Sequence, residues 1–155
     1  MNILRPARKE DFEEFNRIAR QVGDLHAQWG VCQSVEYPYP MDFFLDMIEK
    51  EDELYKLYIA EKDGSIVGYI RFYMWNANGS SALNRRFLSI EDIGVDEALR
   101  NQGIGQQIMD DLRQLACAEG CTNFQLYVDA HNESAQAFYK KCGFHISNIG
   151  MQMKL

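Results

Sequence analysis

The stretch RNQGIG, from Arg100 to Gly105, lies where a strand-like run ending near Val95 gives way to a helical run that begins at Ile104. A helix N-terminus leaves several backbone N–H groups unpaired and carries a partial positive charge. Glycine at this point lets an anion approach the backbone, because no Cβ atom intervenes. Gly103 and Gly105 therefore predict a phosphate-binding loop, to which Arg100 can add a charge-assisted contact.

Two other phosphate-binding motifs do not fit this loop. A P-loop needs a lysine and a hydroxyl residue after its last glycine, but Gln106 and Gln107 follow Gly105. A dinucleotide fingerprint needs a third glycine, where the chain has Ile108. The R/QxxGxG pattern alone is expected by chance in roughly 7% of chains of this length. A glycine turn that serves only strand–helix packing therefore stays open at this point.

A second motif, NESAQAFYKKCGF at residues 132–144, follows after one helical run and one strand-like run. Together the two motifs resemble those of the GNAT superfamily of N-acetyltransferases. Its Q/RxxGxG/A loop is matched by Arg100, Gly103 and Gly105, and its NxxAxxFYxxxGF segment by Asn132, Ala135, Phe138, Tyr139, Gly143 and Phe144. The resemblance covers the whole chain in element order and is closest from about Leu88 to Phe144.

The resemblance implies how acetyl-CoA is held. Its pyrophosphate would bind the backbone amides of Gln102, Gly103, Ile104, Gly105 and Gln106, with Arg100 alongside. Ile93 and Val95 would pair with the pantetheine arm where their strand separates from the next one. Gly94 either marks the bulge that starts this separation or merely leaves room for packing. Asn132 would contact pantetheine, and it can also cap the helix that begins at Glu133.

Acetyl transfer from a thioester to an amine requires that the amine lose a proton, since the pKa of an alkylamine is about 10.4. The leaving thiolate must be protonated or otherwise stabilised. The resemblance implies Tyr139 as the general acid near sulfur and the Ile93 N–H as the oxyanion donor. A Tyr139 hydroxyl that only makes a structural hydrogen bond stays open as an alternative.

Period-two alternation along residues 89–95 predicts that Glu91 shares a face with Ile93 and Val95 and that Asp92 points oppositely. The Glu-Asp placement is similar to that of polyamine-acetylating members of the superfamily, which implies Glu91 as the base. Orientation of a cationic substrate without proton transfer stays open for Glu91. No cysteine is placed as a nucleophile, so direct transfer in a ternary complex is expected.

The resemblance implies that the acceptor wall comes from the first two helices, their loop and the loop before the motif strand. The aromatic and charged residues there suit an amine cation, although Trp29 and the tyrosines could equally be core. These residues are His26, Trp29, Glu36, Tyr37, Tyr39, Trp75 and Arg85. The acceptor itself stays open among a small polyamine, an aminoglycoside-like amine, an amino acid and a protein amino group. A non-catalytic acyl-CoA-binding sensor or scaffold is the alternative from a different class of function.

Composition sets the remaining expectations. The 155 residues, 46% of them hydrophobic, suit one domain over 1–155. With 16 basic against 23 acidic residues the net charge is −7, which disfavours nucleic acid. The chain has no apolar run of about 18 residues and no apolar signal segment, so no membrane and a cytoplasmic location are expected. The four cysteines form no CxxC pair, so no metal is expected. A homodimer is left open.

Periodicity and turn residues predict the order β-α-α-β-β-β-α-β-α-β. This is a mixed α/β (α+β) domain with a mostly antiparallel central sheet flanked by helices on both faces. Asp11 is expected to cap the first helix. The predicted strands are Asn2–Ala7, Leu54–Glu61, Ile66–Met74, Phe87–Val95, Asn123–Asp129 and one or two within Phe144–Leu155.

Overall fold

The chain is seen in a computed structural model that describes residues 2–30, 32–36, 38–49, 55–77 and 84–153. Its strands are β1 (Leu4–Pro6), β2 (Tyr55–Lys62), β3 (Ser65–Ala77), β4 (Arg85–Val95) and β5 (Asn123–Leu126). Its helices are α1 (Phe12–Gln28), α2 (Met41–Glu49), α3 (Ile104–Ala118) and α4 (Glu133–Lys141). None of the described helices is both long and apolar enough to cross a membrane.

The five strands form one sheet in the order β1-β2-β3-β4-β5. All neighbouring pairs are antiparallel except β4 and β5, which run parallel. The turn between β2 and β3 has Asp63 at φ 51° and Gly64 at φ 77°, the two left-handed residues that an Asp-Gly hairpin turn requires. The predicted mixed, mostly antiparallel sheet is confirmed.

Helices cover both faces of the sheet, as predicted. On one face, α1 and α2 bury Phe15, Ile18 and Phe44 against Ile59 and Tyr69 of the sheet. The other face carries α3, which buries Ile104, Ile108 and Leu112 against residues that include Ile70, Phe72 and Leu88. Burying one such side chain contributes roughly 1.5–3 kcal/mol, so the two apolar layers hold β3 and β4 from both sides.

A β-bulge lies in β4 at Glu91. Phe72 of β3 pairs with Ile90 and Arg71 pairs with Asp92, so Glu91 is an extra residue with no partner in β3. The extra residue resets the alternation of side chains along β4. As a result Glu91 and Asp92 both point to the α1 side of the sheet.

The prediction that Glu91 shares a face with Ile93 and Val95 was therefore wrong. Those two residues pair with Ile70 and Gly68 and lie on the α3 side. The structure also decides between the alternatives for Gly94, where a Cβ atom would overlap the Tyr69 ring. Gly94 makes room for a buried tyrosine, and the bulge lies three residues earlier.

Two local predictions also differ from the structure. Residues 144–153 form no strand, because none of the described strands pairs with them, although Ile149, Met151 and Met153 alternate as a strand would. The Asp11 carboxylate does not cap α1. It accepts two hydrogen bonds of 2.8 Å from the Arg5 guanidinium and one of 2.7 Å from the Arg8 N–H.

Candidate active site

A gap opens between β4 and β5 beyond the Ile90–Leu126 pair, which is their last. The Asp96 N–H donates to the Val67 carbonyl at 3.0 Å, so the backbone of Asp96 faces β3. Going back along β4, the N–H and C=O groups of successive residues point alternately away from β3 and towards it. By this alternation the N–H and C=O groups of Ile93 and Val95 point away from β3 and into the gap. A β-like segment of a ligand can pair with them there.

The N-terminus of α3 lies next to this gap. The first backbone bond of the helix runs from the Gln107 N–H to the Gly103 carbonyl, which leaves the N–H groups of Ile104, Gly105 and Gln106 outside the helical ladder. Gly103 is left-handed, at φ 83°, and a Cβ atom there would meet open space. No side chain caps this helix end, so its amides suit an anion.

The side chains of the glycine loop have other roles. Ile104 is buried in the core, and a Cβ atom on Gly105 would press on the Phe138 ring at 3.2 Å. Gly105 therefore lets α3 approach α4 and joins the two sequence motifs physically. The Arg100 Nε donates to the Val95 carbonyl at 3.2 Å, which holds this guanidinium between the end of β4 and the start of α3.

The neighbouring side chains in the loop are held locally. Gln102 donates its amide to the Ala98 carbonyl at 3.1 Å, and Gln106 donates to Asp110 at 3.1 Å. The Gln106 carboxamide oxygen also accepts from the Cys142 thiol at 3.5 Å, so both side chains have partners within the protein. What Gln106 offers a ligand is therefore its main-chain N–H, together with those of Ile104 and Gly105.

Asn132 of the second motif precedes α4, and Tyr139 lies in its last turn. The Asn132 side chain accepts from the Ala135 N–H at 3.0 Å and so caps the helix, as one of the two alternatives predicted. The Tyr139 ring packs edge-on against Phe144 with centroids 5.8 Å apart. Burial and the nearby Asp92 charge raise the pKa of Tyr139 to about 12, so its phenol stays protonated at neutral pH.

On the opposite side of β4 from α3 lies a cavity of about 320 Å³ between α1 and the sheet. The bulge turns both Glu91 and Asp92 into it. Asp92 accepts hydrogen bonds from the Tyr39 hydroxyl at 2.9 Å and from the Tyr69 hydroxyl at 2.7 Å. Burial, first of all, and the Asp92 charge raise the pKa of both tyrosines, which keeps them protonated donors to that carboxylate.

Arg71 is a residue of this cavity that the sequence analysis missed. Its Nη2 donates to Glu91 at 2.8 Å, and its Cζ lies 5.3 Å from the centroid of the Tyr39 ring. Arg71 stands opposite Asp92 on the adjacent strand. The β3–β4 pairing, once known, would have found it, but no motif in the sequence marks it.

The structure divides the predicted acceptor residues. His26 and Tyr39 line the cavity together with Glu91 and Asp92. Trp75 instead stacks on Phe87, and its indole nitrogen donates to Ser89 at 2.9 Å. The part of the lining that the described residues form also leaves out Trp29, Glu36 and Arg85, and Tyr37 lies outside the described residues.

The chain is similar in sequence to known N-acetyltransferases. It is 33% identical over 149 residues to bovine (Bos taurus) thialysine N-epsilon-acetyltransferase, which covers 91% of the chain and 82% of that protein. It is 32% identical over 102 residues to the uncharacterized N-acetyltransferase YycN of Bacillus subtilis, with 66% of the chain covered. This match spans 61% of YycN, and a match to YdgE of the same organism spans 42% of YdgE.

Solved structures have the same fold. A mutant of the BH1408 protein from Bacillus halodurans superposes with a TM-score of 0.89 at 24% identity, covering 99% of both chains. The aminoglycoside N-acetyltransferase AAC(6')-Iy, solved in complex with CoA, superposes with a TM-score of 0.69 at 15% identity and covers 98% of both chains. The family model described as Acetyltransferase (GNAT) family matches residues 19–144. The chain therefore belongs to the GNAT acetyltransferase family.

Proposed function

We propose that this protein is an acetyl-CoA-dependent N-acetyltransferase that transfers an acetyl group directly to a primary amine in a ternary complex. One observation carries the proposal: β4 parts from β5 after Ile90, and the backbone exposed in the gap leads to the uncapped N-terminus of α3. The gap lies at the β5 edge of β4, and the carboxylate-lined cavity lies on the α1 face of the same strand. Donor and acceptor can therefore meet at β4.

The residues present fit acetyl-CoA. The N–H groups from Gln102 to Gln106, with Arg100 beside them, suit its pyrophosphate, and the backbone of Ile93 and Val95 suits its pantetheine amides. The Asn132 carboxamide oxygen is used by the helix cap, and its amide nitrogen remains to donate to the same arm. Acetyl-CoA would supply the acetyl group as an activated thioester.

Proton transfer falls to groups on the two sides of β4. Glu91 lies in the acceptor cavity with a third of its side chain exposed, so it can accept the ammonium proton directly or through water. Tyr139 is protonated at neutral pH and can donate to the departing sulfur. The Ile93 N–H is the proposed donor to the carbonyl oxygen. The names of the relatives support a primary amine acceptor, since they include thialysine and glucosamine 6-phosphate acetyltransferases.

The test is steady-state release of CoA from acetyl-CoA over a panel of primary amines, with acetyl-CoA affinity measured separately by calorimetry. We expect binding of acetyl-CoA and amine-dependent release of CoA. Binding without turnover on any amine would instead favour the acyl-CoA sensor or scaffold. Absence of binding would remove the site assignment itself.

A further inference from the structure

We infer that the acceptor amine also carries a carboxylate, and that Arg71 binds this carboxylate in the acceptor cavity. The inference rests on the proposed acetyltransferase function and specifies its substrate class. Arg71 would be a specificity residue, because it contacts the acceptor away from the reacting nitrogen. Its partners in the structure carry the argument.

The Arg71 guanidinium is held in place but only partly paired. One of its nitrogens, Nη2, bonds Glu91, while Nε is buried without a hydrogen-bond partner. Nη1 has no partner among the residues that the structure describes. The Tyr39 ring supports the cation from the side, and 18% of the Arg71 side chain is exposed. A guanidinium that is held in place and only partly paired can bind a planar carboxylate or a phosphate through its remaining N–H groups.

The charges around the cavity favour an acceptor that has both a positive and a negative charge. Glu91 and Asp92 attract an ammonium group, and Arg71 stands between Glu91 and the Tyr39 ring. A polyamine of similar length would bring a second ammonium group towards Arg71, where like charges repel. An acceptor with an ammonium at one end and a carboxylate at the other places each charge beside its opposite.

The size and the net charge of the cavity narrow the class of acceptor further. Small-molecule sites span roughly 300–1,000 Å³, so a cavity of about 320 Å³ suits a small acceptor. With one guanidinium against two carboxylates, the cavity has a net negative charge and disfavours a phosphate dianion. A carboxylate monoanion is the better match, and an amino acid with a terminal side-chain amine has all the required groups.

The test compares acceptors that differ only in the carboxylate. L-lysine and 1,5-diaminopentane share the same terminal amine, as do L-ornithine and 1,4-diaminobutane. For the wild-type protein we expect kcat/KM to be higher for the amino acid of each pair. In Arg71→Gln we expect the ratio within each pair to fall roughly ten- to a hundredfold, mainly through KM.

The matched control is Arg20→Gln, which removes the same charge from the outer side of α1, where the Arg20 side chain is 51% exposed. We expect it to leave the ratio unchanged. If Arg71→Gln folds poorly, Arg71→Lys keeps the charge and loses the planar fork, and an intermediate fall in the ratio is expected. Acetyl-CoA affinity checks that each variant keeps the donor site.

Three results would overturn the inference. They are a wild-type preference for the diamine, an equal loss of kcat for both members of a pair in Arg71→Gln, and a preference for glucosamine 6-phosphate over glucosamine greater than that for lysine over its diamine. The second result would mean that Arg71 only positions Glu91. Each leaves the proposed function standing, whereas a lack of turnover on every amine would remove both.

Discussion

Glu91 and Asp92 are neighbours in the chain that face the same cavity and have different partners. Glu91 is paired with the Arg71 guanidinium, while Asp92 accepts from two tyrosine hydroxyls. A third of the Glu91 side chain is exposed, so a substrate amine reaches it more readily than it reaches Asp92, which is less exposed and bonded to both tyrosines. This difference favours Glu91 over Asp92 as the base.

Substitution separates the two carboxylates. We expect Glu91→Gln to lower kcat/KM near neutral pH by about a hundredfold and to remove the acidic limb of its pH profile, because the base is lost. Asp92→Asn keeps an oxygen acceptor for Tyr39 and Tyr69, so we expect less than about a tenfold loss. Profiles of kcat/KM against pH provide the measurement, with Glu119→Gln as a surface control. An unaltered profile in Glu91→Gln would leave Glu91 as a positioning group.

Tyr139→Phe should lower kcat by roughly 10²-fold or more while the fold stays intact, since the change removes the proposed proton donor and keeps the packed ring. A pKa of about 12 keeps the phenol protonated from pH 6 to 10, so Tyr139 should contribute no fall in kcat within that range. Tyr127→Phe, at a side chain 82% exposed, is the matched control. Full activity of Tyr139→Phe would remove its role as acid.

At the scale of elements, α3 has glycines at both ends with similar backbone conformations. Gly103 precedes the helix at φ 83°, and Gly120 follows it at φ 72°. A Cβ atom meets open space at either position. The two ends differ in what they offer a ligand, because N–H groups point out of one end and carbonyls out of the other.

This symmetry allows a matched test of the phosphate site. Glutamate at either glycine has the same left-handed strain, of about 1 kcal/mol, so both variants should lose similar stability. Only Gly103→Glu should abolish acetyl-CoA binding, because its carboxylate would occupy the position proposed for pyrophosphate. Titration calorimetry on both variants makes the comparison. Equal affinities would contradict the assignment of the loop.

The helices and hairpins could be predicted from sequence because their signals are local. The spacing of Phe12, Phe15 and Ile18 predicts α1, and Asp63-Gly64 predicts its turn. The bulge at Glu91 could not be predicted in the same way, because it depends on which residues of β3 pair with β4. The same pairing places Arg71 in the cavity. Neither the bulge nor the position of Arg71 could therefore be predicted from local sequence patterns.

At the scale of the whole molecule, ion pairs join segments far apart in the chain. Arg5 of β1 bonds Asp11 and also Glu61 of β2, and Arg17 of α1 bonds Asp96 after β4. Burial alone would raise the pKa of Asp11, but hydrogen bonds from Arg5 and the Arg8 N–H outweigh it and lower the pKa. The hydrogen bond from Arg17 lowers the pKa of Asp96.

These lowered pKa values set the direction of pH dependence. A carboxylate with a depressed folded-state pKa stabilises the fold above its unfolded value of about 3.9, and that stabilisation is lost as pH falls through the folded value. We expect the free energy of unfolding to decline below about pH 4. Asp11→Asn should cost about 1–3 kcal/mol at pH 7 and progressively less towards pH 2. Denaturant unfolding across that range measures it, with exposed Asp63→Asn as control; a pH-independent cost would contradict the pairing.

The overall architecture could be predicted better than the structure of the C-terminal segment. Element order and motif spacing identify the sheet and its two helical layers, since each element carries its own periodicity. The one or two strands predicted within Phe144–Leu155 are absent from its described part, residues 144–153, although Ile149, Met151 and Met153 alternate as in a strand. A strand needs a neighbour to pair with, and the alternation of one segment does not supply one.

The bulge makes the number of residues in β4 as important as their identity. Deleting Ser89 would change neither Glu91 nor Asp92. It would, however, move the preceding β4 residues, from Arg85 to Leu88, by one register position and so turn their side chains to the other face of the sheet. Alignment of this strand with a relative that has one residue fewer would assign the two carboxylates opposite roles. The face that Glu91 and Asp92 present to the cavity thus depends partly on the length of β4, which changes by insertion or deletion rather than by substitution.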